Sequence, residues 1–385
     1  MAVWDELTGQ SEAIAIFEAA VAAASVGGSD DSSMTHSWLI TGPPGSGRSN
    51  LAYAFATALL GPDGDAATAR QVAARTHPDL GVLATEKVII TMDEVKAAVA
   101  TSQFSPSVGR YRVMVIEDAD RMVERTSNVL LKALEEPPPR TVWILCAPSE
   151  ADLIPTIRSR VRTVRLRMPG IAEVAQLLER RDGVDAATAT RAAREAQSHI
   201  GMAHRLATNA EARDRRARTL EIALGIHCVS DAVVGAASLV ELAKADAEAI
   251  TEERDTAERD GALRSLGIEP GGTIPPALRA QLKVLEEDQK RRATRSLRDG
   301  IDRIMVDLLS LYRDILLIQL GVPGEPINLG ILDRLQGAAH SASPTETLAT
   351  MDAIGAARRR IDSNVPPALA IEAMLVTANR KVPRP

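Results

Sequence analysis

Aromatic residues are almost missing from this chain: three Trp, three Tyr and three Phe make up 2% of its 385 residues. The core must therefore be filled mainly by Ala, Leu, Ile and Val, within a hydrophobic content of 45%. Cysteine is scarcer still. Cys146 and Cys228 exclude a disulfide framework, and they are too few for a four-thiol zinc site. The six histidines fall singly, and His227 beside Cys228 lacks metal-ligand spacing, so no metal site is expected from these residue types. Positive charge is not in excess either: 45 Lys and Arg stand against 51 Asp and Glu, a net charge of -6. That excludes binding of nucleic acid through gross charge and leaves only local patches for any DNA contact. No apolar run approaches the ~20 residues of a membrane span. Asp5 and Glu6 stand where a signal peptide would be basic, so a cytoplasmic protein of roughly two to three domains, with no membrane partner, is expected.

What is present is concentrated in one stretch, Trp38-Leu39-Ile40-Thr41-Gly42-Pro43-Pro44-Gly45-Ser46-Gly47-Arg48-Ser49. A short apolar run feeds a glycine-rich loop, and an alanine-rich helical run over 51–60 follows. Strand, loop and helix start in that order cradle an anion with backbone N–H groups and the helix N-terminus. The spacing is that of the P-loop, Gly-x-x-x-x-Gly-Lys-Ser/Thr, with Gly42, Gly47 and Ser49 in place and Arg48 where the lysine belongs. Arg48 keeps the charge but replaces a compact ammonium by a planar fork, which is not a conservative exchange at a close-packed phosphate.

The second informative stretch is Arg112-Val113-Met114-Val115-Ile116-Glu117-Asp118-Ala119-Asp120. Four apolar residues predict a buried parallel strand, with acidic residues at its C-terminal end, where ligands sit in open α/β sheets. In a P-loop NTPase this place holds the Mg²⁺ carboxylate. The order Glu117 then Asp118 reverses the usual Asp-Glu. A simpler reading, in which the acids cap the next helix, accounts for the same residues.

Taken in order, the period predicts a helix over 11–25, a polar link over 27–33, a break over 61–64 and a turn at His77-Pro78-Asp79. Thr91-Met92-Asp93-Glu94 has the form of a capping box opening a helix. The helix around 127–136 is stopped by Pro137-Pro138-Pro139, and strands are expected over 141–147 and 163–166. Strands alternating with helices over 36–167 predict a parallel α/β sheet covered on both faces. Beyond Pro169 strands vanish: three helices are expected near 171–178, 186–198 and 202–207, then continuous helix to 280 with one interruption, a mobile loop over 267–276. The run Ile301, Ile304, Met305, Leu308, Leu311, Tyr312, Ile315, Leu316 keeps a 3.6-residue period until Gly321 and Pro323. A bundle helix at an oligomeric interface fits it better than a coiled coil, since sustained heptads are lacking.

With these stretches in view, Leu7-Thr8-Gly9-Gln10, the P-loop, His77-Pro78-Asp79, Glu117 to Asp120, Asn-x-Leu-Leu-Lys-x-Leu-Glu-Glu-Pro-Pro from Asn128 to Pro138, and Ser159-Arg160-Val161 together resemble bacterial clamp-loader subunits of the DNA polymerase III delta-prime family. The resemblance covers residues 1 to about 207 well, and the remainder only by its helical character. It implies an AAA+ P-loop domain over 1–167, a small helical lid over 168–208 and an all-α collar over 209–385. The implied partners are motor subunits of the gamma/tau type, delta-type subunits, a sliding clamp and primer-template DNA, joined in a ring that loads the clamp. Ser159-Arg160-Val161 resembles the family's Ser-Arg-Cys motif, so Arg160 is the expected arginine finger, reaching in trans to ATP held by a neighbour; Arg158 is the nearest rival.

The departures all weaken hydrolysis in this chain itself. They are Arg48, the inverted Glu117-Asp118 pair, His204 where active relatives carry a sensing arginine (with Arg205 about 100° further round the helix), and Ala147-Pro148 where a polar sensor is expected. The degenerate nucleotide site is thus expected at Gly42, Gly45, Gly47, Arg48, Ser49, Glu117, Asp118 and His204, with room left for ATP or ADP with Mg²⁺. No zinc is expected, because residues 61–76 hold no cysteine. The competing expectation is a hydrolysing motor subunit or another AAA+ remodeller. No carboxylate cluster beyond 117–120 supports a nuclease or nucleotidyl transferase. The helix opened by Thr91 could meet DNA phosphate through its N-terminal amides and Lys96, and a solvated amphipathic helix explains the same residues at least as well.

Overall fold

A five-stranded parallel sheet organises the first of the two compact units, Met1–Thr208 and Asn209–Pro385, of the computed structural model. The described residues are 4, 7–26, 33–61, 65–85, 89–265 and 279–378. The expected mobile loop over 267–276 and most of the polar link lie outside them.

In chain order the first unit holds α1 (Ser11–Val26), β1 (Ser37–Thr41), α2 (Arg48–Leu60), α3 (Ala66–Ala73), β2 (Leu80–Leu83), α4 (Met92–Ser102), β3 (Arg112–Ile116), α5 (Glu124–Glu135), β4 (Thr141–Ala147), α6 (Pro155–Arg158) and β5 (Arg162–Arg165). Three helices follow, α7 (Ile171–Asp182), α8 (Ala186–Glu195) and α9 (Ile200–Thr208). The sheet order is β2-β3-β4-β1-β5, and every neighbouring pair is parallel.

The strands separate two apolar layers because successive side chains point to opposite faces. Trp38, Ile40, Val113, Val115, Val142 and Ile144 meet α1 and α2. There Phe17, Trp38 and Phe55 pack with ring centroids 4.3 to 5.5 Å apart, so three of the nine aromatic residues sit at one spot. Leu39, Met114, Ile116, Trp143 and Leu145 meet Val95 of α4 and Leu130 and Leu134 of α5. The register places Leu39 and Ile116 on either side of Leu145, so Gly42 and Glu117 leave the sheet at the same edge.

Two local features fix the segments around β2 and β3, one at each end of the strands. Thr91 and Glu94 form the capping box read from the sequence, with the Glu94 carboxylate accepting from Thr91 N at 2.7 Å. The turn at His77-Pro78-Asp79 buries Asp79 completely. Its carboxylate accepts from the backbone N–H of Ser107, Val108 and Gly109, each at 2.7 Å, and from Arg112 at 3.1 Å. One buried acid thus orders the whole loop between α4 and β3. Helix α3 was not anticipated from the sequence, which showed only a break after Leu60; the Asp65 side chain caps it by accepting from Ala67 and Thr68.

The second unit is helical throughout its described residues: α10 (Ala210–Leu224), α11 (Val229–Ser265), α12 (Arg279–Gln319), α13 (Leu332–Ser341), α14 (Pro344–Asp362) and α15 (Pro367–Ala378). Ile301, Met305, Leu308, Leu311 and Ile315 of α12 bury their stripe against Leu239, Leu335, Ile354 and Ile371. One expectation is corrected. The helix beyond 209 has a second break, over 225–228, because the Asp231 carboxylate takes the His227 and Cys228 N–H groups, both at 3.0 Å, and restarts the helix as α11. Buried polar groups link α10, α12 and the segment before α13. Arg216 donates to Asp307 at 2.9 Å and to Asn328 at 2.6 Å, and Asp314 accepts from the N–H groups of Ile327 and Asn328. Among the described residues no helix is long and apolar enough to cross a membrane.

Candidate functional site

The loop between β1 and α2 is held from two sides. Gln10, itself buried, donates through Nε2 to Ser46 O at 3.3 Å and to Arg167 O at 2.8 Å. The Leu-Thr-Gly-Gln stretch therefore ties the loop to the end of β5. From the other side comes His199. Two successive left-handed residues, Gln197 (φ 50) and Ser198 (φ 64), turn the chain between α8 and α9 and set the ring against Gly45. A Cβ on Gly45 would lie 2.3 Å from His199 Cγ, and Ile200 N–H donates to Gly45 O at 3.4 Å. Gly45 (φ 83) and Gly47 (φ 91) both occupy the left-handed region, which glycine alone adopts without strain.

A cleft of about 420 Å³ opens beside the loop, lined by Gly45, Gly47, Arg48, Ser49, Arg181 and His204 among others. The Arg48 guanidinium does not point outward. Its Nη1 donates to Gly42 O at 3.0 Å, so the cation folds onto its own loop. His204 bonds through Nδ1 to Asp182 at 2.8 Å, and Arg181 takes the same carboxylate at 2.9 and 3.0 Å. These hydrogen bonds, from Arg181 foremost, hold the Asp182 carboxyl below its ordinary range. Arg205 is not among the lining residues. Neither His199 nor Arg181 was singled out from sequence. The run Glu179-Arg180-Arg181-Asp182 announces a charged helix end, but not which cation faces the loop.

Glu117 lies where β3 ends, and three side chains share its carboxylate. Ser49 Oγ donates to Oε2 at 3.2 Å, while Tyr53 Oη at 2.5 Å and Arg75 Nη2 at 2.8 Å both reach Oε1. Burial, followed by the bond to Glu117, pushes the Tyr53 phenol upward, so Tyr53 remains a donor. Asp118 adopts a left-handed conformation (φ 50) and pairs with Arg121 at 3.4 Å. Burial, with Asp118 nearby, raises the Asp120 carboxyl. Burial also pushes the Cys146 thiol up to about 12, which leaves it unreactive at the end of β4. Beyond β4 the backbone O of Pro148 accepts from Gly42 N–H at 3.2 Å, with no polar side chain at Ala147 or Pro148. A divalent ion needs several oxygen ligands free of other donors. Glu117 already carries three donors, one of them the Arg75 guanidinium that pairs its charge, so these residues do not fit Mg²⁺ as they stand. Among the described residues no group of three or more His, Cys, Asp or Glu could hold a metal ion.

Arg160 lies just past α6 on another part of the unit's surface. Its Nε donates to Glu135 at the end of α5, and Nη1 donates to Thr156 O at 2.7 Å and Ser159 Oγ at 3.0 Å. The side chain is one third exposed (33%). Ser159 and Thr156 thus aim it from α6, and the Glu-Glu-Pro-Pro end of α5 holds it. Arg158, its rival, is the more exposed of the two. On α4, Lys96 is exposed, and Thr91 Oγ1 takes the Glu94 N–H in the capping box.

Residues 26–169 match the family described as DNA polymerase III, delta subunit. Over a stretch of comparable length the chain is similar to delta' subunits. The delta' subunit of DNA polymerase III from Pseudomonas aeruginosa PAO1 is 34% identical over 154 residues, covering 38% of this chain and 47% of that protein. The Escherichia coli K12 delta' subunit is 34% identical over 143 residues, 35% of this chain and 43% of that one. The gamma/tau subunit of Mycobacterium tuberculosis H37Rv shares 25% over 147 residues, 36% of this chain and 25% of that protein. The chain spans less than half the length of the curated relatives it matches. The matched range holds the P-loop, Glu117 and Arg160, whereas His199 and His204 lie beyond it.

Proposed function

We propose that this chain is a delta-prime-like AAA+ subunit of a clamp loader that hydrolyses little nucleotide itself and supplies Arg160 in trans to the ATP site of a neighbouring motor subunit. In this reading α7–α9 form the lid and residues 209–385 the collar, which joins gamma/tau-type and delta-type subunits. The ring then opens a sliding clamp on primer-template DNA. The observation that carries the reading is a contrast within one unit. The carboxylate at the nucleotide edge is taken up by Ser49, Tyr53 and Arg75, while a surface arginine is aimed and held by Glu135, Thr156 and Ser159. A finger needs a fixed base and a guanidinium within reach of solvent, and the support for Arg160 is that Glu135, Thr156 and Ser159 hold it while one third of the side chain (33%) stays exposed. Stabilising transition-state charge in this way is worth ~10³–10⁵ in rate where it is well studied. ATP or ADP bound in the cleft would then serve structure rather than turnover.

The test is clamp- and DNA-stimulated ATP hydrolysis by the reconstituted loader with Arg160→Ala. A fall of about a thousandfold at the adjacent site, with the ring still assembled, is expected. Turnover equal to wild type would remove the finger role. A second reading, an ATP-hydrolysing motor subunit, draws on the likeness to gamma/tau and on the Ser49–Glu117 juxtaposition. Mg²⁺-dependent hydrolysis by the purified chain, abolished by Glu117→Gln, would favour it.

A further inference from the structure

The connector between α2 and β2 reaches the nucleotide edge, and the proposed function, on which the following inference rests, uses only its contact from Arg75 to Glu117. It breaks at Gly61, forms the short helix α3 and ends in the turn that carries Arg75. Arg75 holds a left-handed backbone (φ 57), a conformation that costs a non-glycine residue of order 1 kcal/mol or more. Two backbone bonds fix the turn, Arg75 N–H to Val72 O at 2.9 Å and Thr76 N–H to Gln71 O at 2.8 Å. The side chain leaves this turn across the face of Tyr53, with its guanidinium carbon 5.4 Å from the ring centroid. It ends on Glu117 Oε1 at 2.8 Å, beside the Tyr53 hydroxyl. Tyr53 stands one helical turn beyond Ser49 on α2, so Ser49, Tyr53 and Arg75 converge on a single carboxylate.

We infer that Arg75 is a resident counter-ion of Glu117, which occupies the carboxylate that a divalent cation would need and so makes this cleft independent of metal. The chemistry of the cage favours a guanidinium over a metal ion. An aromatic face attracts a flat, weakly hydrated cation, whereas Mg²⁺ and Mn²⁺ require hard oxygen ligands in a closed shell. A guanidinium within hydrogen-bond distance of Glu117 also repels a second cation brought to the same oxygens. The Arg75 side chain is half exposed, so exclusion works by competition and not by a wall; its removal opens the carboxylate. Glu117 is then left with only neutral donors, Tyr53 Oη on Oε1 and Ser49 Oγ on Oε2. The inference concerns this chain's own carboxylate and stands apart from the role of Arg160.

The test is a Mn²⁺ titration of the purified full-length chain, with free Mn²⁺ read by electron paramagnetic resonance. Wild type is expected to show no saturable site that depends on Glu117. Arg75→Ala is expected to gain one, at least about tenfold tighter than any wild-type binding, and Arg75→Ala with Glu117→Gln is expected to lose it again. Arg75→Gln, which removes the charge and keeps most of the side-chain length, serves as the second variant should the alanine form fail to fold. Saturable Mn²⁺ binding by wild type that Glu117→Gln abolishes would overturn the inference. So would a charge-neutral Arg75 variant that folds and binds Mn²⁺ no more tightly than wild type. Neither outcome bears on trans hydrolysis, so failure here is distinct from failure of the finger reading.

Discussion

Glu135 and Arg160 are ion-paired within one chain, and the remaining donors on Nη1 are engaged by Thr156 and Ser159. An arginine acting on a neighbour's phosphate must exchange the Glu135 contact for the phosphate. The pair is partly exposed on both sides, so it contributes only ~0.2–1 kcal/mol. Glu135→Gln should therefore lower the concentration of this chain needed for half-maximal stimulation of the motor subunit, by up to about fivefold. A titration of ATPase rate against subunit concentration reads this directly. An unchanged half-point would mean that Glu135 merely covers the end of α5.

Asp79 governs acid stability. Burial by itself would raise its pKa, but the N–H groups of Gly109, Ser107 and Val108 prevail and hold the carboxyl at about 2. A folded pKa below the unfolded value of ~3.9 stabilises the fold at pH above 3.9, and the contribution is lost as pH falls through 2. Asp79→Ala should cost about 2–4 kcal/mol at neutral pH, since several buried N–H groups lose a charged acceptor. The variant should also show a shallower loss of stability between pH 4 and 2 than wild type, measured by chemical denaturation across that range.

Gly45 admits no side chain. Gly45→Ala would combine a left-handed φ with a Cβ 2.3 Å from the His199 ring, so either the loop or α9 must move. A loss of about 1–3 kcal/mol is expected. Amide exchange should accelerate at residues 199–203 and less in β3 or β4. Uniform acceleration would show that the strain is spread through the whole unit.

In the second unit, Arg216 is buried between Asp307 and Asn328. Arg216→Ala leaves Asp307 without this cation and should destabilise the unit by about 3–5 kcal/mol. Arg216→Met together with Asp307→Leu should recover much of that loss, because a buried ion pair is often replaceable by apolar groups of similar volume. Thermal unfolding of the full chain under identical conditions separates the two outcomes.

The parallel strands were legible because both faces are buried. The stretches 113–116 and 142–147 read as unbroken apolar runs, and every residue in them is buried in the structure. The Thr91–Glu94 capping box was legible because all of its partners lie within four residues. Helix α3 was not, since only Thr68 and Val72 of its eight residues are buried and its start rests on the single cap Asp65. The break over 225–228 was equally hidden, because it depends on one carboxylate, Asp231, competing for two backbone donors in an otherwise helical stretch.

The same division runs through the candidate site. The sequence alone determined the P-loop spacing, the glycines at 42, 45 and 47, the acid at 117 and the Ser-Arg-Val turn, because each follows from residue type at short range. Only the tertiary structure decided what those groups face. Arg75 and Glu117 are 42 residues apart, and Gln10 reaches Arg167 across 157. Such pairs are set by how helices cover a sheet and where turns deliver their side chains, and no local pattern of charge or period encodes them. Arg48 shows the limit most plainly: its charge is written in the sequence, but its hydrogen bond to Gly42 O depends on the fold of the loop around it.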